Sequence, residues 1–537
     1  MTLDILPACV NATRGSYLQE SKRIVVIGAG IGGLATAIEL ARRGLTVDVL
    51  EAATVPGGKL REVEVAGRRL DAGPTVLTMR AVFDALLEAG GERLGPALCR
   101  ATVLARHYWP DGSSLDLHAD AAASTDAIGR FAGSDEADRF TAFMARARRS
   151  ARLLEAAFLR EPRPTALGVA LATARHHPAD LLQLNPFATL WDAVCGGFRD
   201  ARLRQLFARY ATYCGSSPYL APATLGMIAQ VEADGVWLLP QGLYGLAQAL
   251  ERSARALGVQ FRYGCRVTQL DVDRGRVAGL RLATGERLGA RQVIFNGDTA
   301  ALSAGLLGGA ARPAVPARPQ AQRSLSAVTW NLVARTGGAP LAHHTICFSA
   351  DYAREFSELI AARTVPTEPT VYVCAQDRDS TGHRTGSGAE RLLCLVNAPA
   401  TGDRTAYPSS EVAACESKMR RQLERCGLAL QDPPEGCLVT TPADFERLYP
   451  RSGGALYGSA THGWRAAFSR PRARTRIRGL YLAGGSVHPG AGMPMAALSG
   501  LHAAACVMQD LDSSSRSATT AMRGGTWTRW ATIRHRD

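Results

Sequence analysis

The chain has 537 residues, 46% of them hydrophobic, with 12 cysteines and a formal net charge of +14. That length exceeds what one hydrophobic core organises, so two domains are expected, and without a run of 18 uncharged apolar residues no membrane-spanning helix is expected. The cysteines stand singly with no C-x-x-C, which argues against a disulfide framework or a zinc site and for reduced thiols in a cytoplasmic setting.

The opening "MTLDILPACVNATRGS" has neither a basic n-region nor an apolar core and is not read as a secretory signal. The first predicted element follows in "RIVVIGAGIGGLATAIELARRGLTVDVLEAATVPGGKL". Ile24 to Ile27 is an uncharged, β-branched run, as a buried parallel strand requires. Gly28, Gly30 and Gly33 then fit G-x-G-x-x-G: the first makes a tight turn, the second admits phosphate to the backbone amides, and the third lets a helix pack close. Leu34, Ala37, Ile38 and Ala41 fall at helical spacing, and a second strand, "TVDVL", delivers Glu51, a carboxylate for ribose hydroxyls. This is a dinucleotide site, with the nucleotide still open.

Gly57 and Gly58 form a second glycine turn, followed by Lys59 and later by Asp71, Gly73 and Pro74. The order acid, spacer, Gly-Gly, Lys resembles the FAD-binding start shared by flavin amine oxidases and carotenoid desaturases. Further on, Phe140, Phe143, Met144, Ala147, Ala151, Leu154 and Phe158 share one helical face, flanked by Arg146, Arg148, Arg149, Arg152 and Arg160. Such a stripe lies in a membrane interface or simply in the core. "GCRVTQLDVDRGRVAGLRLATGERLGARQVIFNGD" reads as short strands with turns at Asp273 to Gly275 and Thr284 to Glu286. In Leu325 to Ala334 one alternating face carries Val328, Trp330 and Leu332, suited to the floor of a lipid cavity or to plain core.

His176 with His177, and His343 with His344, are adjacent and expected to diverge, so no metal site is predicted. No zinc-finger spacing, ribonucleoprotein motif or lysine-rich block supports a nucleic-acid partner, which leaves an anionic membrane surface as the partner suited to the positive charge. Near the far end, "IRGLYLAGGSVHPGAGMPMAALSGLHAAACVMQ" gives a short strand, Gly484 and Gly485, then Gly492 and a helix from near Met493 with Pro494 in its first turn. Its bare N-terminus places partial positive charge against an anion, as a reduced isoalloxazine needs. FAD accounts for both ends of the chain; NAD accounts only for the first.

From Lys22 to about Asp510 the chain resembles the FAD-dependent acyclic carotenoid desaturases, the phytoene-desaturase family. The resemblance lies in the opening fingerprint, in "GVWLLPQGLYGLAQAL" and in "LYLAGGSVHPGAGMPMAALSG". Within the family it looks closest to the branch acting on 1-hydroxycarotenoids, the hydroxyneurosporene or methoxyneurosporene 3,4-desaturases, through "LRQLFARYATYCGSSPYLAPATLGMIAQVE", "HHTICFSADYAREF", "PTVYVCAQDR" and "LLCLVNAPATGD". One departure is Gly242 followed by Leu243, where the family usually has two glycines.

The resemblance implies an α/β protein: a Rossmann-like FAD-binding domain assembled from residues 21–98, 235–307 and 475–511, an α+β substrate domain from 99–234 and 308–474, and a tail without structure at 512–537. It places the Val267 backbone near the adenine and His488 in the motif where a catalytic residue is sought. It implies desaturation of an acyclic carotenoid at the 3,4 bond of a 1-hydroxy or 1-methoxy substrate, oxygen or a quinone as electron acceptor, and a cytoplasmic enzyme peripherally bound to a membrane. Tyr210, Tyr213 and Asn397 are candidate partners for the substrate oxygen. A redox-neutral carotenoid isomerase and a non-catalytic prenyl-binding protein are the competing readings.

Overall fold

The computed structural model describes residues 23–95, 98–176, 187–431 and 434–523. The β-branched opening forms the strand Arg23–Ile27, buried from Ile24 onward. It is the middle of a five-stranded sheet ordered Leu480–Leu482, Gln292–Phe295, Arg23–Ile27, Thr46–Leu50 and Gln260–Arg262, with every neighbouring pair parallel. Apolar cover on both faces explains the uncharged run Ile24 to Ile27 at its centre. The sheet takes its strands from three distant parts of the sequence.

The helix Ile31–Ala41 returns across this sheet and packs on the helix Met493–Arg523. Their approach is closest at Gly500, where a Cβ would sit 2.3 Å from the Gly32 carbonyl oxygen. Thr36 Oγ1 donates there to the Gly500 carbonyl at 3.1 Å. The expected short strands form an antiparallel meander, Val267–Asp273, Arg276–Leu282 and Arg287–Gly289.

The second large sheet has seven strands in the order Gly436–Thr440, Ser326–Ala334, Glu390–Ala398, Val371–Ala375, His344–Cys347, Val103–Tyr108 and Ser114–His118. All its neighbours are antiparallel except His344–Cys347 beside Val103–Tyr108. Its outer face carries Val328, Trp330 and Leu332, packed with Cys415, Met419 and Leu423 of the helix Ser409–Arg425. The lipid-floor expectation for that face is therefore corrected: it is core, packed against this helix. The inner face looks toward the hairpin of Glu62–Val65 and Arg68–Asp71, since Asn331 Nδ2 and Gln376 Nε2 both donate to the Asp71 carbonyl, at 2.9 and 3.0 Å.

The stripe from Phe140 to Phe158 is also corrected. In the helix Ser134–Leu154, Phe140, Phe143 and Ala147 are buried, with the rings of Phe143 and Phe198 each 4.8 Å from that of Phe207. Phe158, in the wider turn Glu155–Leu159, is buried edge-on against His488. Aromatic packing outweighs any interfacial use of that face, and Arg146, Arg148, Arg152 and Arg160 form its solvated back. Among the described residues no helix is long and apolar enough to cross a membrane, and the eleven described cysteines are all free. The tail expected to lack structure from 512 instead continues the last helix to Arg523, because no Gly or Pro interrupts it before Gly524. Trp527 and Trp530, like His177, lie outside the described residues.

Candidate flavin and substrate site

The three predicted glycine segments converge on Asn296, which follows the strand Gln292–Phe295. Asn296 Nδ2 donates to the Gly28 carbonyl at 3.2 Å, and its amide would crowd a Cβ on Gly30, Gly32 or Gly33 within 2.9 Å. Gly28 has φ +101 and Gly57 φ +110, backbone conformations that favour glycine. The Gly57 N–H donates to the Ala29 carbonyl at 2.8 Å, so the second glycine turn lies against the first. Gly484, with φ +110, closes the group from the far end of the chain, its N–H held by Ser499 Oγ at 2.7 Å. Gly30 caps the helix Ile31–Ala41 without a side-chain hydrogen bond, and its first turn carries no acid. Its amides and positive end are thereby left for a phosphate.

At one side of this cradle Glu51 accepts from the Ala29 and Ala53 N–H groups at 2.6 and 2.8 Å. The Cys265 N–H donates to the Glu51 carbonyl, which brings the start of the meander, with Val267, to the same end. At the other side stand Gly485, Gly492 and Met493, where a Cβ on Gly485 would meet nothing within 4 Å. Lys59 Nζ donates to the Ala455 and Leu456 carbonyls at 3.2 and 2.6 Å. Burial lowers its pKa, and the carboxylate of Asp298 opposes that. A ribose-binding acid, phosphate-facing glycines and a cation in one continuous cradle fit FAD. Gly28, Gly30, Gly33, Glu51, Gly57, Gly58, Lys59, Val267, Gly484, Gly485, Gly492 and Met493 would hold it, and bound FAD supplies a hydride acceptor.

Two predicted features resolve differently. Gly242 has φ +98, and a Cβ there would press to 3.1 Å from the Asp71 carboxylate, so the first glycine is required. Leu243 has φ −71 and merely donates its N–H to Asp71 at 2.5 Å, as Tyr244 does at 2.9 Å, so the second glycine is dispensable. Asp71 thus caps the helix Tyr244–Ala256. Burial raises its pKa, against those two N–H groups. His488 is buried, with Nε2 2.9 Å from the Glu161 carbonyl and its ring stacked at 5.6 Å on His502. Burial brings its pKa down to about 4, and its Nε2 contact fastens the C-terminal loop to residue 161.

Between the cradle and the inner face of the seven-stranded sheet lies a set of polar groups that are enclosed by protein yet not sealed off. Tyr372, Leu395 and Asn397 keep accessible surface in mid-sheet. The Tyr372 hydroxyl lies 2.7 Å from Thr75 Oγ1 and 2.7 Å from His344 Nδ1. The adjacency argument for His343 and His344 needs correction here. Their rings turn toward each other at 4.7 Å, and with Cys374 they present possible ligand atoms within 4.8 Å. Ligands of one tetrahedral zinc stand about 3.5 Å apart.

With this geometry in view, comparison with known proteins is decisive. The pattern for flavin containing amine oxidoreductases matches residues 31–508. The chain belongs to the flavin-containing amine oxidoreductase family. It is 50% identical over 517 residues to a hydroxyneurosporene desaturase of Rubrivivax gelatinosus, covering 96% of this chain and 98% of that one. A hydroxyneurosporene desaturase of Cereibacter sphaeroides is 44% identical across 92% of this chain and 99% of its own length. A 4,4'-diaponeurosporene oxygenase of Staphylococcus aureus is more distant, at 29% over 89% of this chain and 97% of its own. Among solved structures, a putrescine oxidase mutant matches with TM-score 0.57 at 16% identity, over 91% of this chain and 99% of that one, a likeness of fold.

The glycines and Glu51 were visible because they sit in one motif. Asn296 was missed, although the strand-ending "IFNGD" was its signal. Thr75 and Tyr372 gave none, since only the fold brings them together.

Proposed function

We infer that the chain is an FAD-dependent oxidoreductase of carotenoid biosynthesis that desaturates an acyclic carotenoid at the 3,4 bond of a 1-hydroxy or 1-methoxy substrate. The observation that carries this reading is the 50% identity across 96% of the chain to a relative bearing the hydroxyneurosporene desaturase name. The cradle built on Asn296 supports its flavin half. Desaturation removes a hydride and a proton, so the protein's own task is to hold the polyene against the cofactor and keep water away. We propose residues 21–98, 235–307 and 475–511 as the FAD-binding domain and 99–234 and 308–474 as the substrate domain, in keeping with the separate parallel and antiparallel sheets. Oxygen or a quinone takes the electrons.

The substrate lives in lipid, and the surface proposed to meet it is the helix Ala166–His176, in a cytoplasmic enzyme bound peripherally. Leu167 is 70% exposed and Leu171 52%, one turn apart on that helix. Beside them lies a groove of about 730 Å³ whose lining includes Arg149, Arg152, Leu153, Ala157, Pro164 and Thr173. Apolar side chains with arginines at their flank suit an anionic bilayer. One experiment tests both parts: reconstitute the flavoprotein with anionic liposomes containing either 1-hydroxyneurosporene or phytoene, supply oxygen and a quinone, and follow floated protein, product mass and red shift. The expected result is flotation at low salt, lost in Leu167→Asp/Leu171→Asp, and loss of two hydrogens from the hydroxylated substrate with little change in phytoene. Robust conversion of phytoene alone overturns the substrate, and an unchanged mass overturns desaturation.

A further inference from the structure

The segment over the inner face of the seven-stranded sheet contains a polar cluster that the flavin cradle does not use. The Tyr210 hydroxyl donates to Glu232 Oε2 at 2.8 Å, the Tyr213 hydroxyl donates to Glu232 Oε1, and Arg209 Nη2 donates to the Tyr213 oxygen at 3.3 Å. The Arg209 guanidinium also lies 5.2 Å from the Tyr213 ring centre. Tyr210 and Glu232 are buried among apolar neighbours that include Leu206, Phe207 and Ala229.

This cluster has more donors than acceptors. Glu232 is engaged by two tyrosines, and Arg209 Nε is buried without a hydrogen-bond partner. The same is true of His344 Nε2, Tyr219 Oη and Tyr352 Oη, from the same domain. A guanidinium has five N–H groups and cannot shed its proton, so a buried one with unfilled donors calls for an oxygen from elsewhere. Arg209, Tyr213 and Tyr372 each keep some accessible surface although protein encloses them.

The required oxygen is neutral. Glu232 already balances Arg209, and a carboxylate or phosphate would leave an unpaired charge in a medium of low dielectric. A hydroxyl and an ether oxygen both qualify, because each accepts from N–H. Carbon 1 of the substrate is two bonds from carbon 3, so the group that holds its oxygen must lie close to the cofactor. Two links run from this cluster toward the cofactor segments. The Tyr372 hydroxyl, beside His344, also meets Thr75, which follows Gly73 and Pro74 of the cofactor segment. Gly215, two residues beyond Tyr213, lies so near Tyr457 that a Cβ would fall 2.5 Å from its ring, and the neighbouring Leu456 carbonyl holds Lys59.

We propose that Arg209, oriented by Tyr213 and Glu232, donates a hydrogen bond to the oxygen on carbon 1 of the carotenoid and so determines which carbon–carbon bond lies at the flavin. The assignment rests on the reading of an oxygenated acyclic carotenoid as substrate. Its test compares kcat/KM for 1-hydroxyneurosporene and for neurosporene in the wild-type holoenzyme and in Arg209→Met, Arg209→Lys and Tyr213→Phe, with flavin absorbance confirming that each variant is loaded. In Arg209→Met the preference for the hydroxylated substrate falls at least tenfold toward parity. Arg209→Lys, which keeps a donor, recovers part of it, and Tyr213→Phe loses an intermediate share through KM more than kcat.

A merely structural role would lower both substrates alike, so a preference within twofold of wild type in loaded Arg209→Met overturns the assignment. If Arg209→Met fails to retain flavin, the same comparison in Tyr213→Phe and Arg209→Lys decides it. A wild type that desaturates neither substrate, or neurosporene alone, refutes the substrate reading itself, an outcome distinct from loss of selectivity in the variants.

Discussion

The two faces of the seven-stranded sheet are made by the same strands and follow opposite rules. The outer face joins Val328, Trp330, Val371, Val373, Cys394 and Val396 to the helix Ser409–Arg425 in a dry, closed core. On the inner face, alternate residues of the same strands are Thr329, Asn331, Tyr372, Leu395 and Asn397, several of them polar and three still accessible. The difference teaches that one face of these strands secures the fold so that the other can remain incompletely packed and partly unpaired, as a face that receives a ligand must be.

The largest effect that would sharpen this contrast is expected from Trp330→Ala. Trp330 is fully buried, and removing it should cost about 3–5 kcal/mol through lost burial and the cavity left behind. Thermal unfolding followed by circular dichroism should show a large drop in Tm, with the ratio of activities on the two carotenoids preserved in whatever protein stays folded. A changed ratio would break the assignment of stability to the outer face.

A second effect is read in pH. Glu355 is buried, and its carboxyl pKa is pushed up to about 7, by burial first, against hydrogen bonds from Ser349 and Thr370, the residue that leads into the strand Val371–Ala375. The folded state therefore holds this proton more tightly than the unfolded chain. The stabilisation is complete below about 4.5 and is lost as pH rises through 7, about 3 kcal/mol in all. Urea unfolding of wild type and Glu355→Gln at pH 5.5 and 8 should show the wild type alone losing this increment. Parallel pH dependence in both would remove Glu355 as its source.

The smallest effect on stability belongs to the inner face. Tyr372→Phe gives up the contacts to Thr75 and His344 and should cost about 1–2 kcal/mol. Its loss of kcat/KM should nevertheless exceed that of Trp330→Ala when equal amounts of folded, flavin-loaded protein are compared. The reverse ranking would erase the functional distinction between the faces.

What could be read from the sequence divides along physical lines. Strand Arg23–Ile27, helix Ile31–Ala41 and Glu51 were legible because a dinucleotide cradle is local in sequence and each glycine has a steric reason. The Phe140 stripe was legible as a face but not as a destination, since periodicity is the same whether a helix packs on Phe198 and Phe207 or on lipid. Arg209 and Tyr372, 163 positions apart, were illegible as a site because only the sheet brings them together. Tyr213 was foreseen as a polar candidate, but its partner Glu232 was not, and the pair has meaning only through the turn between them.

The parallel sheet has a further consequence through the order in which its strands are made. Arg23–Ile27 is synthesised long before the far end of its sheet: its neighbour Gln292–Phe295 pairs with Leu480–Leu482, and Gly32 is faced by Gly484 and Gly500. While the ribosome still holds those last segments, a nascent chain has the first two glycine turns but no lid over them. The cradle is therefore complete only once the segment from Leu480 to Gly500 has docked, and until then the edge of Gln292–Phe295 stays without its outer neighbour.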